Sequence, residues 1–204
     1  MIHKHGYWYF KNAVNKDFCK KIEDIVKKIK PIKGTISGIK TPKKGKEKEK
    51  LFKKRNSDIK FFSDQAIYDQ IIYYVRKANE AADWNYDFDW VEEAQYTIYK
   101  KNQHYDWHCD QSSEPYKSDD INFNGKTRKL SCTLLLNDTS KYEGGDFEFD
   151  FRNNKKGNNI KKATELTNQG DLIIFPSYVW HRVTPVTKGT RKSLVMWTIG
   201  SPFK

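Results

Sequence analysis

The sequence has few cysteines and no long apolar segment. Its three cysteines, Cys19, Cys109 and Cys132, show no pairing pattern, which argues against a disulfide framework and indicates reduced thiols. No apolar run is long enough to span a bilayer, and the first ten residues lack the apolar run of a signal peptide. We therefore expect a cytoplasmic protein that does not insert into a membrane.

Aromatic residues, in contrast, are abundant. The 204 residues include 6 Trp, 12 Tyr and 12 Phe, which supply enough apolar surface for a sizeable core despite the many charges. We find no internal repeat and no clear linker between domains. The length and these two absences predict a single domain over residues 1–204.

Positive charge is concentrated near the start of the chain. Residues 1–60 contain 19 basic and 6 acidic residues, whereas the remaining 144 contain 19 and 20. The densest part, Lys40 to Arg55, predicts a solvated loop, or alternatively a contact for an acidic polypeptide or a nucleic acid. Phe52 is its only aromatic residue. Because sites for single-stranded nucleic acid stack bases on aromatic side chains, this scarcity disfavours the nucleic-acid alternative.

Two amphipathic helices are predicted in the first half of the chain. Asn15 can cap a helix that runs to about Lys30. A second helix starts near Ser63 or Asp64 and runs to about Ala82. Apolar residues recur at helical spacing in both, namely Phe18, Ile22, Ile25, Val26 and Ile29 in the first, and Ile67, Ile71, Ile72, Val75 and Ala78 in the second. These stripes indicate packing against a core.

From Val91 onward the pattern changes to short β-type runs separated by turn residues. This order favours a mainly β fold, a barrel or a two-sheet jelly roll, with helices on one side. We expect residues 1–90 to form a helical support with the basic loop 40–55, and residues 91–204 to form the jelly-roll core. One short strand is predicted earlier in the chain, at 35–39. The strands predicted after Val91 are 94–100, 105–110, 128–136, 146–151, 171–175, 179–183 and 193–199.

His108 and Asp110 are candidate metal ligands. Side chains alternate between the two faces of a strand, so these two point the same way and Cys109 points the other way. His181 follows a glycine–aspartate turn, an apolar strand and a proline–serine turn, which would place it at the start of another strand. Two imidazoles and one carboxylate can form the facial triad of a non-haem iron site.

A His-X-Asp tripeptide alone arises easily by chance, so its context matters. Arg191 follows His181 after a turn made possible by Pro185 and Gly189, and its guanidinium could bind a carboxylate through two parallel hydrogen bonds. Ser193 shares that face and could donate one more. The alternatives are a surface arginine at a turn and an ordinary strand serine.

Several segments together carry a family resemblance. Residues 99–201 resemble the Fe(II)- and 2-oxoglutarate-dependent dioxygenases, specifically the prolyl 4-hydroxylase-like branch, and residues 5–26 are similar to the entry strand and first helix of that family. The resemblance implies a double-stranded β-helix, or jelly-roll, core. The matching segments are YKKNQHYDWHCD, RKLSCTLLLND, EGGDFEF and GDLIIFPSYVWHRVTPVTKGTRKSLVMWTIGS.

The resemblance also implies roles for individual residues. His108, Asp110 and His181 would bind Fe(II), and Arg191 would pair with the distal carboxylate of 2-oxoglutarate. Tyr99 matches a family tyrosine near this cosubstrate. The reaction would consume O2, with ascorbate as reductant, and would hydroxylate a prolyl residue of a protein or peptide, which the basic segment suggests is acidic.

Three alternatives stay open. One is a hydroxylase of the same fold that acts on a free amino acid or another small molecule. Another is a nucleic-acid dealkylase, but such relatives carry a second arginine six residues after the first, where this chain has Trp197. The last is a non-catalytic jelly-roll binding protein, for which a complete set of ligands and arginine would have no use.

Overall fold

The structure is a computed structural model that describes residues 5–35, 45–152 and 159–202. Within these ranges the helices are α1 (Lys16–Lys27), α2 (Lys46–Lys54) and α3 (Gln65–Ala81). The first strands are β1 (Trp8–Phe10), β2 (Ile32–Lys33), β3 (Arg55–Asn56), β4 (Asp58–Phe62), β5 (Trp90–Val91), β6 (Ala94–Tyr99), β7 (His104–His108) and β8 (Thr127–Leu135). The remaining strands are β9 (Tyr142–Gly144), β10 (Phe147–Asp150), β11 (Ile160–Lys162), β12 (Leu172–Pro176), β13 (Trp180–Val183), β14 (Val186–Gly189) and β15 (Arg191–Gly200). A 3₁₀ turn, Thr139–Lys141, precedes β9.

The strands form two main antiparallel sheets. The large sheet has the order β1-β12-β8-β15-β6-β4-β2, and β5 pairs with β15. The small sheet has the order β11-β10-β13-β7-β3, and β14 pairs with β9 separately. Neighbours in the sheets are often far apart in the sequence. The architecture is therefore held together mainly by long-range pairing.

Both long helices begin at the residues that the sequence indicates. The Asn15 side chain accepts a hydrogen bond from the amide of Phe18, and the Asp64 side chain accepts one from the amide of Ile67. Each cap satisfies an amide that the first helical turn leaves free. The apolar faces of α1 and α3 pack on one side of the large sheet, through Ile22, Val26, Ile67, Ile71 and Val75 against Leu130, Leu134, Leu172, Leu194 and Met196.

Side chains along β8 and β15 alternate between the two faces of the large sheet, one facing the helices and the other facing the small sheet. On β8, Leu130 and Leu134 belong to the helix-side core, whereas Leu135 belongs to the core between the sheets. Alternate residues such as Thr133 and Ser193 line a cavity on this inner side. The space between the sheets therefore receives polar side chains as well as apolar ones. This arrangement confirms the predicted mainly β, two-sheet fold with helices on one side.

The first 90 residues differ from the expected helical support and loop. Lys46–Lys54 form α2 instead of part of a loop, while 36–44 lie outside the described residues together with most of the predicted strand 35–39. The same part of the chain also contributes strands β1 to β5 to the sheets. Three of these strands have only two residues, too short to show an alternating pattern.

Among the described residues, no helix is both long and apolar enough to cross a bilayer.

The buried carboxylate of Asp171, just before β12, binds the residues that follow β1. Asp171 accepts hydrogen bonds from the amides of Asn12, Thr167 and Asn168 at 2.8–3.0 Å and from Lys11 Nζ at 2.6 Å. Burial alone would raise the pKa of Asp171, but the Lys11 ammonium and these amides bring it below its ordinary value. Asp171 is therefore ionised at neutral pH and stabilises the fold in that form.

We expect Asp171→Ala to lower the free energy of unfolding by about 2–4 kcal/mol, since it leaves several amide donors without their acceptor. Because the folded-state pKa is depressed, the contribution is complete above the ordinary pKa and is lost as pH falls through the folded value. The stability difference between wild type and Asp171→Asn should thus shrink below about pH 4. Urea unfolding measures both, with exposed Asp69→Ala as the control. An equal loss in the Asp69 variant would contradict this role.

Candidate active site

Three potential metal ligands meet on the small sheet, near the end of β7. His108, Asp110 and His181 each offer one ligand atom, and these atoms lie within 4.8 Å of one another. Strands β7 and β13 pair with His108 directly opposite His181. Asp110 lies two residues beyond the end of β7 rather than on a continuing strand, and its amide donates to the Ser177 carbonyl at 2.8 Å. We call these three residues the His–Asp–His group.

Both imidazoles have one nitrogen held by the backbone. Nδ1 of His108 lies 2.8 Å from the Asp106 carbonyl, and Nδ1 of His181 lies 2.9 Å from the Val179 carbonyl. A carbonyl can only accept, so each Nδ1 carries the proton. The Nε2 lone pairs are then free, and both Nε2 atoms approach the Asp110 carboxylate, at 3.6 and 3.5 Å. Such backbone partners fix the tautomer that a metal-binding histidine needs.

The protonation states also suit a cation. Burial, and then the neighbouring His181, lower the pKa of His108 well below its ordinary value. Burial alone would raise the pKa of Asp110, but His181, His108 and Arg128 together lower it to about 2. The group therefore presents an ionised carboxylate and a neutral His108 near pH 7. These are the forms that bind a divalent metal, and the set of two imidazoles and a carboxylate fits non-haem Fe(II).

Two buried serines orient the carboxylate. Ser131 on β8 donates to Asp110 Oδ2 at 2.7 Å, and the Ser131 and Ser177 hydroxyls lie 2.9 Å apart. Both serines are fully buried. The position of Asp110 is thus set by strand β8 as well as by its own loop. Neither serine was singled out from the sequence, where nothing distinguishes Ser131 from any other strand serine.

We expect Ser131→Ala to weaken metal binding by roughly 10–100-fold, the usual effect of removing a partner that orients a ligand. The measurement is an anaerobic Fe(II) or Co(II) titration, accompanied by thermal unfolding of the metal-free protein. Ser63→Ala removes a serine hydroxyl from an exposed position before α3 and should leave affinity unchanged. A folded Ser131→Ala protein with wild-type metal affinity would rule out the orienting role.

Arg191 lies in the same cavity as the His–Asp–His group. It begins β15, opposite Tyr99 of β6, and is only 1 % exposed. Its Nη1 donates to Ser193 Oγ at 3.0 Å, and its guanidinium carbon lies 5.6 Å from the centre of the Tyr99 ring. No carboxylate among the described residues forms an ion pair with it. An isolated buried cation of this kind is costly unless a ligand supplies the opposite charge.

The cavity has a volume of about 170 Å³ and includes residues that the sequence alone did not identify. Arg128 lines the cavity, and its Nε and Nη2 donate to the two oxygens of Glu92 at 2.7 and 2.6 Å. Its guanidinium also stacks 3.9 Å from the Trp197 ring. Arg55 also lines the cavity. The site therefore combines all six predicted residues, His108, Asp110, His181, Arg191, Tyr99 and Ser193, with two further arginines. Cys109 is not one of the three ligand residues.

The curated relatives found by sequence include PKHD-type hydroxylases. Over 99 residues this chain is 30% identical to PKHD-type hydroxylase IL0759 of Idiomarina loihiensis, which covers 48% of this chain and 38% of that protein. It is also 38% identical over 101 residues to PKHD-type hydroxylase Xfasm12_1709 of Xylella fastidiosa. This match covers 48% of this chain and 40% of that protein. The matched part thus spans less than half the length of these relatives.

Similar solved structures show the same fold. A Pseudomonas putida prolyl-4-hydroxylase superposes with a TM-score of 0.64 at 16% identity, covering 96% of this chain and 92% of that one. The viral collagen prolyl hydroxylase of Paramecium Bursaria Chlorella virus-1, solved with 2OG, superposes with a TM-score of 0.63 at 20% identity, covering 97% of both chains. These similarities confirm the double-stranded β-helix.

The family itself follows from the sequence profile. Residues 94–199 match the profile described as the 2OG-Fe(II) oxygenase superfamily. This range is more than half of the chain, and it contains the His–Asp–His group and Arg191. The protein therefore belongs to the 2OG-Fe(II) oxygenase superfamily.

Proposed function

We propose that this protein is an Fe(II)- and 2-oxoglutarate-dependent dioxygenase that hydroxylates prolyl residues of a protein or peptide. The observation that carries this proposal is the meeting, in one cavity, of the His–Asp–His group with a buried arginine, Arg191, that has no carboxylate partner among the described residues. The first feature suits Fe(II) and the second suits a dicarboxylate cosubstrate. Together they meet the requirements of the reaction.

His108, Asp110 and His181 would hold the iron through two Nε2 atoms and one carboxylate oxygen. When bound, the iron supplies the oxidising chemistry that couples conversion of 2-oxoglutarate and O2 into succinate and CO2 to hydroxylation of a C–H bond. Ascorbate would act as a reductant. The protein's own part is to hold these ligands in fixed tautomers and to leave the side of the group facing the cavity accessible.

Arg191 would orient the cosubstrate. Its guanidinium can bind the distal carboxylate of 2-oxoglutarate through two parallel hydrogen bonds, and Ser193 Oγ already accepts from Nη1, which restricts the rotation of the arginine. The Tyr99 ring packs against the guanidinium. Arg191 is thus prepared for the anion before it arrives, which reduces the entropy lost on binding.

Two aromatic side chains pack against His181 of the His–Asp–His group. The Phe147 ring stacks on His181 at 5.5 Å between centroids, and the Phe175 ring meets the same imidazole edge-on at 4.7 Å. Both phenylalanines are buried. They cover part of the His181 ring and keep water from the parts that they cover. Restricting water in this way limits side reactions of a strong oxidant.

The prolyl substrate is supported by the resemblance to the prolyl 4-hydroxylase-like branch and by the two similar structures, which are both prolyl hydroxylases. The excess positive charge of residues 1–60 favours an acidic partner. We also place the protein in the cytoplasm, which agrees with its three free cysteines.

Incubation with Fe(II), 2-oxoglutarate, ascorbate and a library of proline-containing peptides tests the proposal. We expect succinate formation and a mass gain of one oxygen on proline, both lost when 2-oxoglutarate is omitted. A gain mapped to another residue would contradict the prolyl assignment alone. The absence of succinate with every peptide, and also without peptide, would contradict the oxygenase itself.

A further inference from the structure

A second buried arginine in the same cavity has no carboxylate partner among the residues that the structure describes. Arg55 is 6 % exposed and begins β3, which pairs with β7 so that Arg55 faces Tyr105. Its guanidinium carbon lies 4.4 Å from the centre of the Tyr105 ring, and that ring stacks on His108 at 3.5 Å between centroids. One aromatic ring thus separates Arg55 from a proposed iron ligand.

Within the described ranges, the hydrogen bonds of Arg55 all go to neutral oxygens. Its Nε donates to Ser57 Oγ at 3.1 Å and its Nη1 to the Thr35 carbonyl at 2.6 Å, while Nη2 makes only a long contact of 3.4 Å to Gln95 Oε1. Each terminal nitrogen of a guanidinium carries two N–H groups. A donor therefore remains on each of them without an acceptor in the part of the chain that the structure describes.

Each of the other two arginines of the cavity has a carboxylate partner, one in the structure and one in the proposed function. Arg128 is neutralised by Glu92 through two short hydrogen bonds, and Arg191 is assigned to the cosubstrate. No ion pair of Arg55 occurs among the described residues, and residues 36–44, which follow Thr35, contain no aspartate or glutamate. Burying an unpaired charge is unfavourable. An anion from outside the chain would remove this cost.

Local structure holds Arg55 in place. The amide of Gly34 donates to the Ser57 carbonyl at 2.9 Å, and a Cβ atom at Gly34 would collide with Ser57 Oγ and Arg55 Nε. The guanidinium therefore occupies space that only a glycine leaves free. Gln95, whose side-chain oxygen lies near Nη2 of Arg55, is itself oriented by a 2.8 Å hydrogen bond that it donates to Thr97. The arginine is thus positioned before any ligand binds.

We propose that Arg55 is a carboxylate-binding subsite for the substrate, so that the molecule to be hydroxylated presents a carboxylate to this arginine. This inference rests on the proposed oxygenase function and narrows its substrate class. The carboxylate has two possible sources, the α-carboxylate of a free amino acid such as proline or an acidic group in a peptide. A planar guanidinium with a free donor on each terminal nitrogen suits either source, because both oxygens of a carboxylate can accept in parallel.

Matched pairs of probes test the subsite without turnover. The protein is loaded with Mn(II) and N-oxalylglycine, an unreactive analogue of 2-oxoglutarate. Dissociation constants are then measured for L-proline against L-prolinamide, and for proline peptides carrying glutamate against the same peptides carrying glutamine. We expect wild type to bind the charged member of one pair at least about 10-fold more tightly. The pair that shows the preference identifies the source of the carboxylate.

Variants assign the preference to a residue. Arg55→Met should reduce it to about 1-fold, and Arg55→Lys should keep part of it, because the charge remains but the planar fork is lost. Arg76→Met removes an exposed arginine of α3 and should leave the preference intact. Thermal unfolding of each variant checks folding, and the wild-type comparison needs no variant.

Two results would overturn the subsite. One is the same affinity for charged and amide members of every pair, or no binding of any member, in wild type. The other is an Arg55→Met protein that loses N-oxalylglycine affinity while keeping its preference, since Arg55 would then serve the cosubstrate. Succinate formation by wild type is measured in parallel. A charged-probe preference without succinate would reject the oxygenase and leave the subsite standing.

Discussion

Asp110→Ala will lose Fe(II) affinity by more than the roughly 10–100-fold expected for a partner outside the ligand set, and 2-oxoglutarate turnover will fall with it. Asp110 is the only carboxylate among the three ligand residues, and its pKa of about 2 keeps it charged across the whole range in which the protein would work. Without it, two neutral imidazoles would remain to hold a divalent cation.

Asp110→Asn tests the effect of the side-chain charge on metal affinity while the side-chain volume is kept. The amide keeps the shape of the side chain but cannot carry the negative charge, so we expect metal affinity to stay close to that of Asp110→Ala. Asp106→Ala is the matched control, because the Asp106 side chain is 44% exposed and pairs with Lys54, while its backbone carbonyl still holds His108. Anaerobic titration with Fe(II) or Co(II) measures the affinities. Full iron binding and turnover in Asp110→Ala would disprove the ligand assignment.

Arg191→Met will weaken binding of 2-oxoglutarate while leaving the iron site in place. Truncating one partner of a buried, hydrogen-bonded charge pair costs about 2–5 kcal/mol, which corresponds to roughly 30-fold to several thousand-fold in Kd. Because no described carboxylate pairs with Arg191, its removal leaves no buried anion of the protein unpaired. We therefore expect the loss to appear in cosubstrate affinity and not in folding.

Three measurements separate these effects. Equilibrium binding of 2-oxoglutarate to the Mn(II)-loaded protein gives the cosubstrate Kd, a metal titration gives the metal affinity, and thermal unfolding gives the stability. Arg191→Lys should recover part of the cosubstrate affinity, since it restores the charge without the planar fork. Arg182→Met is a suitable control, because Arg182 pairs with Glu148 outside the cavity. Unchanged 2-oxoglutarate affinity in Arg191→Met would refute the role of this arginine.

The long elements of the fold could be predicted because their signals are local. Asn15 and Asp64 precede helices whose apolar residues recur at helical spacing, and the structure has both caps. Strands β6, β8 and β15 also lie close to their predicted ranges. The short strands β2, β3 and β5 were missed, since two residues show no periodicity and such strands exist only through pairing with a neighbour. Helix α2 was missed because its many lysines resemble a solvated loop.

For the site, the sequence by itself was enough to select His108, Asp110, His181 and Arg191, since their spacing and flanking turns form a specific pattern. Only the tertiary structure brought Ser131 to Asp110, Glu92 to Arg128, and Arg55 into the same cavity. These contacts depend on the register of strands far apart in the chain, and a register shift of one residue would turn each side chain to the other face of its sheet. The pairing of β3 with β7 therefore decides that an arginine with no carboxylate partner among the described residues lies one aromatic ring from the proposed iron site.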